Sequence, residues 1–263
     1  MKQQNGHLVS KLKLIFELAK NDFSGRYSGN LLGVFWAFAQ PIVTICIYIF
    51  VFQFAFRAGN SIDGYPYSLW LIAGIIPWFF YNEALLGSAN VFVEYSYLVK
   101  KVVFDIDALP AVKIVSSLFV HLFFILLAVI IFFLSGYSIN TSFIQIFYYL
   151  FCLISLILAL SYLTSTVVVF FRDFNQIINM LLQIMIWLTP IMWNYKDFSD
   201  RWIFIFKLNP MFYIVRGYRD CFTGNELFWN YPLTIYFWIF VIVAGTVGFV
   251  FFKKMKPHFP DVL

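Results

Sequence analysis

Between Lys113 and Arg172 the chain reads IVSSLFVHLFFILLAVIIFFLSGYSINTSFIQIFYYLFCLISLILALSYLTSTVVVFF, residues 114–171, without one Asp, Glu, Lys or Arg. A helical crossing of a bilayer core about 30 Å thick takes about 20 apolar residues, and an ionised side chain at its centre costs a few kcal/mol or more. The stretch is too long for one crossing. Its polar interior, Ser135-Gly136-Tyr137-Ser138-Ile139-Asn140, divides it into two spans, about Ile114 to Leu134 and Phe143 to Phe171.

Working outward, the uncharged run from Tyr27 to Phe56 contains a first span, Val34 to Phe56. A second runs from Tyr67 to Ala89, interrupted by Pro77 and containing Glu83. The fifth, Phe174 to Trp193, directly follows Arg172-Asp173, and the sixth is Asn230 to Phe252. Composition agrees: of 263 residues 62% are hydrophobic, 22% aromatic and 12% charged, against about a quarter charged in a soluble domain. The expected fold is an all-α integral membrane protein with six transmembrane helices and no large soluble domain.

Residues 1–33 read as an N-terminal amphipathic helix and entry, in which Met1 to Tyr27 lacks the uninterrupted apolar core of a cleavable signal. Leu8, Leu12, Ile15, Phe16, Ala19 and Phe23 instead recur at helical spacing, with Lys13, Glu17 and Lys20 on the other side. Such a helix can lie in the membrane interface, or pack on a soluble partner. Residues 34–263 then form the six-span domain. Basic residues gather at Lys2, Lys11, Lys13, Lys20 and Arg26, at Lys100, Lys101 and Lys113, at Arg172, and at Lys253, Lys254 and Lys256. All fall on one side of a six-span topology, which the positive-inside rule makes cytoplasmic, with both termini inside.

The connection between spans five and six, residues 194–229, is crowded with aromatics, and Asn209-Pro210 predicts a break between two short helices. A re-entrant helical hairpin at the outer leaflet is expected, because non-helical backbone at membrane depth must be buried in protein or face water. Between spans two and three, Val91 to Asp107 carries an amphipathic helix pattern ending at Phe104-Asp105 and followed by Pro110. Residues 91–109 are therefore a cytoplasmic loop able to present a helix to a partner.

Catalytic chemistry finds few residues. No GxxxxGK[ST] phosphate loop occurs. Cys46, Cys152 and Cys221 are widely spaced, as are the three histidines, so no metal ligand set is visible. Glu83 is the one intramembrane acid. It lies toward the cytoplasmic half of its span, where reaching the interface, pairing with a basic residue or lining an aqueous entrance are the readings, and a lone acid is poor support for a proton relay.

The ordered motifs resemble, across nearly the whole chain, the type-2 ABC exporter permeases that move polysaccharides. They are Arg26-Tyr27 through Leu32-Gly33, Trp36 to Gln40-Pro41, Gly74 with Pro77-Trp78, and Lys100-Lys101 with Phe104 and Pro110. Phe171-Arg172-Asp173, Thr189-Pro190-Ile191, Asn209-Pro210, Arg219-Asp220 and the basic residues before His258-Phe259 complete them. The chain is similar to the O-antigen and teichoic acid exporter group, of the Wzm and TagG kind. That group commonly has Phe-Pro after the loop lysines where Phe104-Asp105 stands here, so the loop geometry is not carried over.

The resemblance implies a bacterial inner-membrane homodimer, each subunit docked to a separate ABC ATPase that binds ATP and magnesium, this chain holding no cofactor or metal. It implies a lipid-linked polysaccharide as cargo, with no nucleic-acid partner, and coupling to the ATPase through Lys100, Lys101 and Phe104. It also implies an outer gate at Asn209, Pro210, Arg219 and Asp220, and a channel between subunits formed by spans one and five. Trp36, Tyr48, Trp187, Trp193 and Tyr195 are its expected lining, since flat aromatic rings suit the apolar C–H faces of sugars. For each of them the alternative is anchoring at the lipid interface. Two other functions stand beside this one: export of a drug or lipid, and a membrane-embedded enzyme of envelope synthesis, which needs clustered acids or histidines that the sequence lacks.

Overall fold

The computed structural model describes residues 2–26, 31–55, 61–100, 106–138, 140–224, 227–228 and 232–263. The chain is helical almost throughout. α1 (Lys2–Arg26) precedes α2 (Phe35–Ile49), which continues as a π-helical turn, Phe50–Ala55. α3 (Tyr67–Ala89) is followed by two one-turn helices, α4 (Val91–Glu94) and α5 (Ser96–Val99). Then come α6 (Leu109–Leu134), α7 (Ile146–Phe170) and α8 (Phe174–Leu188). α9 (Asp200–Lys207), α10 (Pro210–Thr223), α11 (Leu233–Met255) and α12 (Phe259–Val262) close the order.

Among the described residues five helical segments are long and apolar enough to cross a membrane: Phe35–Gln53, Tyr67–Ala89, Ile106–Leu134, Thr141–Phe170 and Leu233–Val262. The fifth expected span, Phe174 to Trp193, is a helix only to Leu188. At 1.5 Å per residue its 15 residues reach about 22 Å, short of the bilayer core.

α3 is the spine of the bundle. It packs against α2, α6, α7, α8 and α10 and is the most buried of the five spans, although also the least hydropathic. A helix whose neighbours are protein has no need of uniform apolarity, whereas one facing lipid does. Pro77 does not interrupt it, contrary to the sequence reading, because packing on several sides keeps the remaining turns in place. The other close pair, α7 with α11, meets at small residues: a Cβ on Gly248 would lie 3.0 Å from the Ala159 carbonyl oxygen.

The loop expected as one amphipathic helix is instead broken at Tyr95, where φ −98° and ψ 29° leave the helical region. Leu109, its expected last residue, already belongs to α6 and is fully buried. α1 is a helix as expected, but over residues 11–26 the buried positions are Ala19 and Asp22, while Leu12 and Phe16 stay exposed. It lies against α6, with Phe16 and Phe23 edge-on to Phe119. A small hairpin unforeseen in sequence joins α2 to α3, pairing Ser61 with Pro66 and Ile62 with Tyr65. Asp63 (φ 52°) and Gly64 (φ 84°) make its tight turn, a conformation that Asp-Gly favours.

α10 is almost wholly buried. Its ends are locally dictated: the Asn209 side chain accepts from Met211 N at 3.0 Å, Pro210 opens the helix and Gly224, at φ 73°, closes it. Midway, Gly217 lies against the ring of Tyr149, so closely that a Cβ would sit 2.0 Å from it. Gly217→Ala is expected to lower stability by about 1–3 kcal/mol or more, read as a lower Tm in detergent, and an unchanged Tm would show that the two helices separate freely.

Candidate functional site

Two polar assemblies, one at each end of the bundle, organise the chemistry. At the first, α1, α3, α4 and α6 meet through charge. Lys113 reaches Asp22 at 2.6 Å and also bonds Glu94, while Arg26 bonds Asp22 at 2.8 Å and Glu83 at 2.6 Å. The Tyr95 hydroxyl donates to Asp22 at 3.0 Å and Ser117 donates to Glu83 at 3.2 Å. Buried charge is tolerated only when paired and hydrogen-bonded, and each of these groups is.

Burial pushes the Asp22 carboxyl up, but Arg26 and Lys113 outweigh it and hold the group below its ordinary value. Glu83 is accordingly the partner of Arg26, one of the three readings the sequence left open. It also lines a cleft of about 600 Å³ shared with Arg26, Trp36, Gln40 and Asn82. Lys256 pairs with Asp107 at this same basic end, which ties the C-terminal segment to the residues leading into α6.

At the opposite end α8 stops and residues 189–194 run on without regular structure. Arg219, only 6% exposed, donates from Nη1 to the Pro190 carbonyl at 2.7 Å and from Nη2 to that of Ile191 at 2.6 Å. Its guanidinium lies 3.3 Å from the ring centre of Trp70, a cation–π contact. Gly74 makes the room, since a Cβ there would come within 2.6 Å of Nη2. The Tyr67 hydroxyl takes the Met192 carbonyl at 2.8 Å, and Asn209 Nδ2 donates to Thr189 Oγ1 at 2.7 Å. Gly74, Thr189-Pro190-Ile191, Asn209-Pro210 and Arg219, scattered through the sequence, are thus one knot.

Beside the knot is a cavity of about 390 Å³ lined by Asp63, Tyr195, Lys196, Arg216 and Asp220 among others. Lys196 pairs with Asp63 of the hairpin at 2.7 Å, and Arg216 lies 5.8 Å from the ring centre of Tyr195. Asp220 is buried next to Arg219.

The five aromatic residues singled out from sequence are not one cluster. Trp36, 48% exposed, stands at the basic end beside the charged cleft, and Tyr48 is half-buried along α2. Trp187 is 55% exposed at the far end of α8, where Trp193 Nε1 donates to its carbonyl at 3.1 Å. Tyr195 packs edge-on against Phe212. α2 and α8 each bury only two residues, Ala37 and Ile45, and Ile178 and Leu182. Both rest on α3, α8 also touches α7 and Phe38 of α2 meets Phe123 of α6, and their remaining faces are exposed and mainly apolar, with Gln40, Gln176 and Gln183 among them. Lys100 is exposed at the end of α5, and Lys101 and Phe104 lie outside the described residues.

The roles of Asp22, Lys113 and Trp70 were missed from sequence. Lys113 offered a signal, being a lysine set one turn into an apolar helix, whereas nothing local marks Trp70 as the partner of Arg219.

The model of the family described as ABC-2 type transporter matches residues 13–223. The chain belongs to that family. Its members are transport permeases rather than catalytic enzymes, and the apolar helices described above make this one a multi-pass membrane protein. Two proteins of Klebsiella pneumoniae, each an O-antigen export system permease protein RfbA, are 26% identical over 264 and 266 residues, covering all of this chain and 98% of their own. An RfbA of Myxococcus xanthus is 27% identical over 105 residues, 40% of this chain and 39% of its own.

The two ends of this ABC-2 permease give separate tests. Arg219→Lys, which keeps the charge but cannot fork to both carbonyls, is expected to cost about 3–5 kcal/mol, as when a buried polar network loses one partner. A lower Tm in detergent and reduced accumulation check it. At the other end, Asp22→Asn should cost about 2–3 kcal/mol by leaving Lys113 and Arg26 short of a carboxylate. Since the folded protein holds the Asp22 pKa below its unfolded value, this stabilisation is full above the ordinary carboxylate value of about 4 and is lost as pH falls through the lower folded pKa. Parent and Asp22→Asn should therefore differ in Tm at neutral pH and converge in strong acid.

Proposed function

We propose that this chain is the membrane subunit of an ABC exporter that carries a lipid-linked polysaccharide, of the O-antigen, capsule or teichoic acid kind, across the bacterial inner membrane. Two copies form the path and a separate ABC ATPase supplies the energy. The likeness to O-antigen export permeases over their full length supports the cargo. The observation that carries the path is the bareness of α2 and α8. Each of these helices contacts α3 and buries only two residues, leaving Gln40 on α2 and Gln176 and Gln183 on α8 exposed, polar groups that lipid does not satisfy, and a second copy facing them would enclose a channel.

In this reading α8 is the fifth of six spans. Its short helix is completed by residues 189–193, whose non-helical backbone is tolerable at membrane depth because Arg219 and Tyr67 satisfy its carbonyls. Residues 194–229 are then an outer re-entrant hairpin, with Asn209, Pro210, Arg219 and Asp220 holding the gate. The basic end faces the cytoplasm with both termini, by the positive-inside rule. There residues 1–33 form the interfacial helix, and residues 91–109, through Lys100, Lys101 and Phe104, receive the ATPase. Trp36 lies at the entrance, Tyr48 along the path, and Trp187, Trp193 and Tyr195 at the exit.

Purification in mild detergent followed by mass spectrometry is expected to recover an ABC ATPase and a glycolipid with the chain. In a cell dependent on this exporter, Trp36→Ala and Trp187→Ala should lower surface polysaccharide severalfold without loss of ATPase association, the scale expected when a positioning contact with cargo is lost. Parental export by both variants would return these residues to the lipid boundary and sink the aromatic path.

A further inference from the structure

At the basic end lies a second hydrophobic cluster, separate from the main core, built around Phe92, Val99, Leu109, Val169, Phe252 and Phe259. It joins the loop helices α4 and α5 to the first turn of α6, the last turns of α7 and α11, and the short C-terminal helix α12. Phe259 is fully buried. Its ring centre is 5.1 Å from that of Phe92 and 5.9 Å from those of Phe252 and Phe170, and Phe92 stacks on Phe252 at 5.4 Å. Lys256 bonds the Asp107 carboxylate, whose residue also accepts the Tyr162 hydroxyl on its carbonyl at 3.0 Å. Pro257 and Pro260 stiffen the segment by fixing two of its φ angles.

α4 and α5 are four residues each, far below the length at which a helix holds its own shape in water. Their orientation is therefore imposed from outside. On one flank Glu94 and Tyr95 are tied to Lys113 and Asp22, the charged assembly already described. On the other flank the contacts come from α7, from Phe252 of α11 and from the segment beyond it.

We propose that the segment Lys256–Val262 is a positioning element of the transport cycle, with Phe259 as the residue that fixes the α4–α5 loop to α11 and α7. A displacement delivered to the loop then passes into those helices instead of being spent in bending the loop. This rests on the reading that a separate ATPase acts on the loop. Phe259 touches neither cargo nor nucleotide and acts through Phe92.

The test uses the full chain in a Cys46→Ser background, Cys152 and Cys221 being buried, with a nitroxide spin label on Lys100→Cys, an exposed position at the end of α5. Phe259→Ala is expected to raise the mobility of the label, and Phe259→Leu to restore it. In proteoliposomes of the unlabelled chain, with Lys100 intact and the co-purified ATPase, Phe259→Ala should keep ATPase association while export per ATP hydrolysed falls at least about fivefold, the lower end of ordinary coupling between sites. Unchanged label mobility, or unchanged export per ATP, in Phe259→Ala overturns the proposal. Should that variant fail to accumulate, Lys256→Gln takes its place: a more mobile label supports the clasp and an unchanged one overturns it. If the parent recruits no ATPase, the transport reading fails, and the label still decides whether the segment positions the loop.

Discussion

A helix that ends in apolar surroundings leaves carbonyls that water cannot reach, and α8 is such a helix. Its continuation through Thr189, Pro190, Ile191 and Met192 has no ladder to join. The Trp187 carbonyl takes the Trp193 indole, that of Thr189 takes the Ile191 amide, those of Pro190 and Ile191 take Arg219, and that of Met192 takes Tyr67. A buried guanidinium is an expensive way to satisfy two carbonyls. It is rendered tolerable by the face of Trp70, by the space over Gly74 and by the neighbouring carboxylate of Asp220. The consequence is architectural, for α3, α8 and α10 are fastened together at one end by a single side chain.

The other end meets the complementary problem, charge rather than backbone. Asp22, Glu83 and Glu94 face Arg26 and Lys113, and both cations serve two carboxylates. Breaking any one bond leaves a partly buried ion with a partner still in place, so the assembly tolerates small rearrangements better than an isolated pair would. Polar fastening at both ends frees the middle of the bundle to be plain hydrocarbon. There the least hydropathic span can sit at the centre, shielded by its more apolar neighbours.

Much of this was legible in the sequence because it depends on local or periodic signals. Charge-free runs located the second span at Tyr67–Ala89, ended the third at Leu134 and placed the start of a helix at Phe174. Asn209-Pro210 marked the start of α10, since a cap and a proline act on adjacent residues. The failures share a different character. Pro77 looked like an interruption because propensity knows nothing of the packing around α3, and the loop helix divided at Tyr95 because its shape comes from elements on both flanks. Asp22 finds Lys113 ninety-one residues away and Arg219 finds Trp70 across 149. Contacts at that separation leave no periodic trace, so the knot was visible only as unconnected motifs.

The distribution of fastenings separates the two bare helices. α8 is pinned at its Leu188 end by the Arg219 knot, whereas along the rest of its length only Ile178 and Leu182 are buried. α2 has no such pin among the described residues: Ala37 and Ile45 are its buried positions, and its far end loosens into a π-helical turn, a departure from regular geometry that recurs at functional sites. Sparse apolar contact marks the parts of a structure that rearrange at least cost. The proposed path would therefore have one wall that pivots about a fixed end and another held by fewer contacts. Widening it would disturb neither the carbonyls that Arg219 satisfies nor the buried ions at the opposite end.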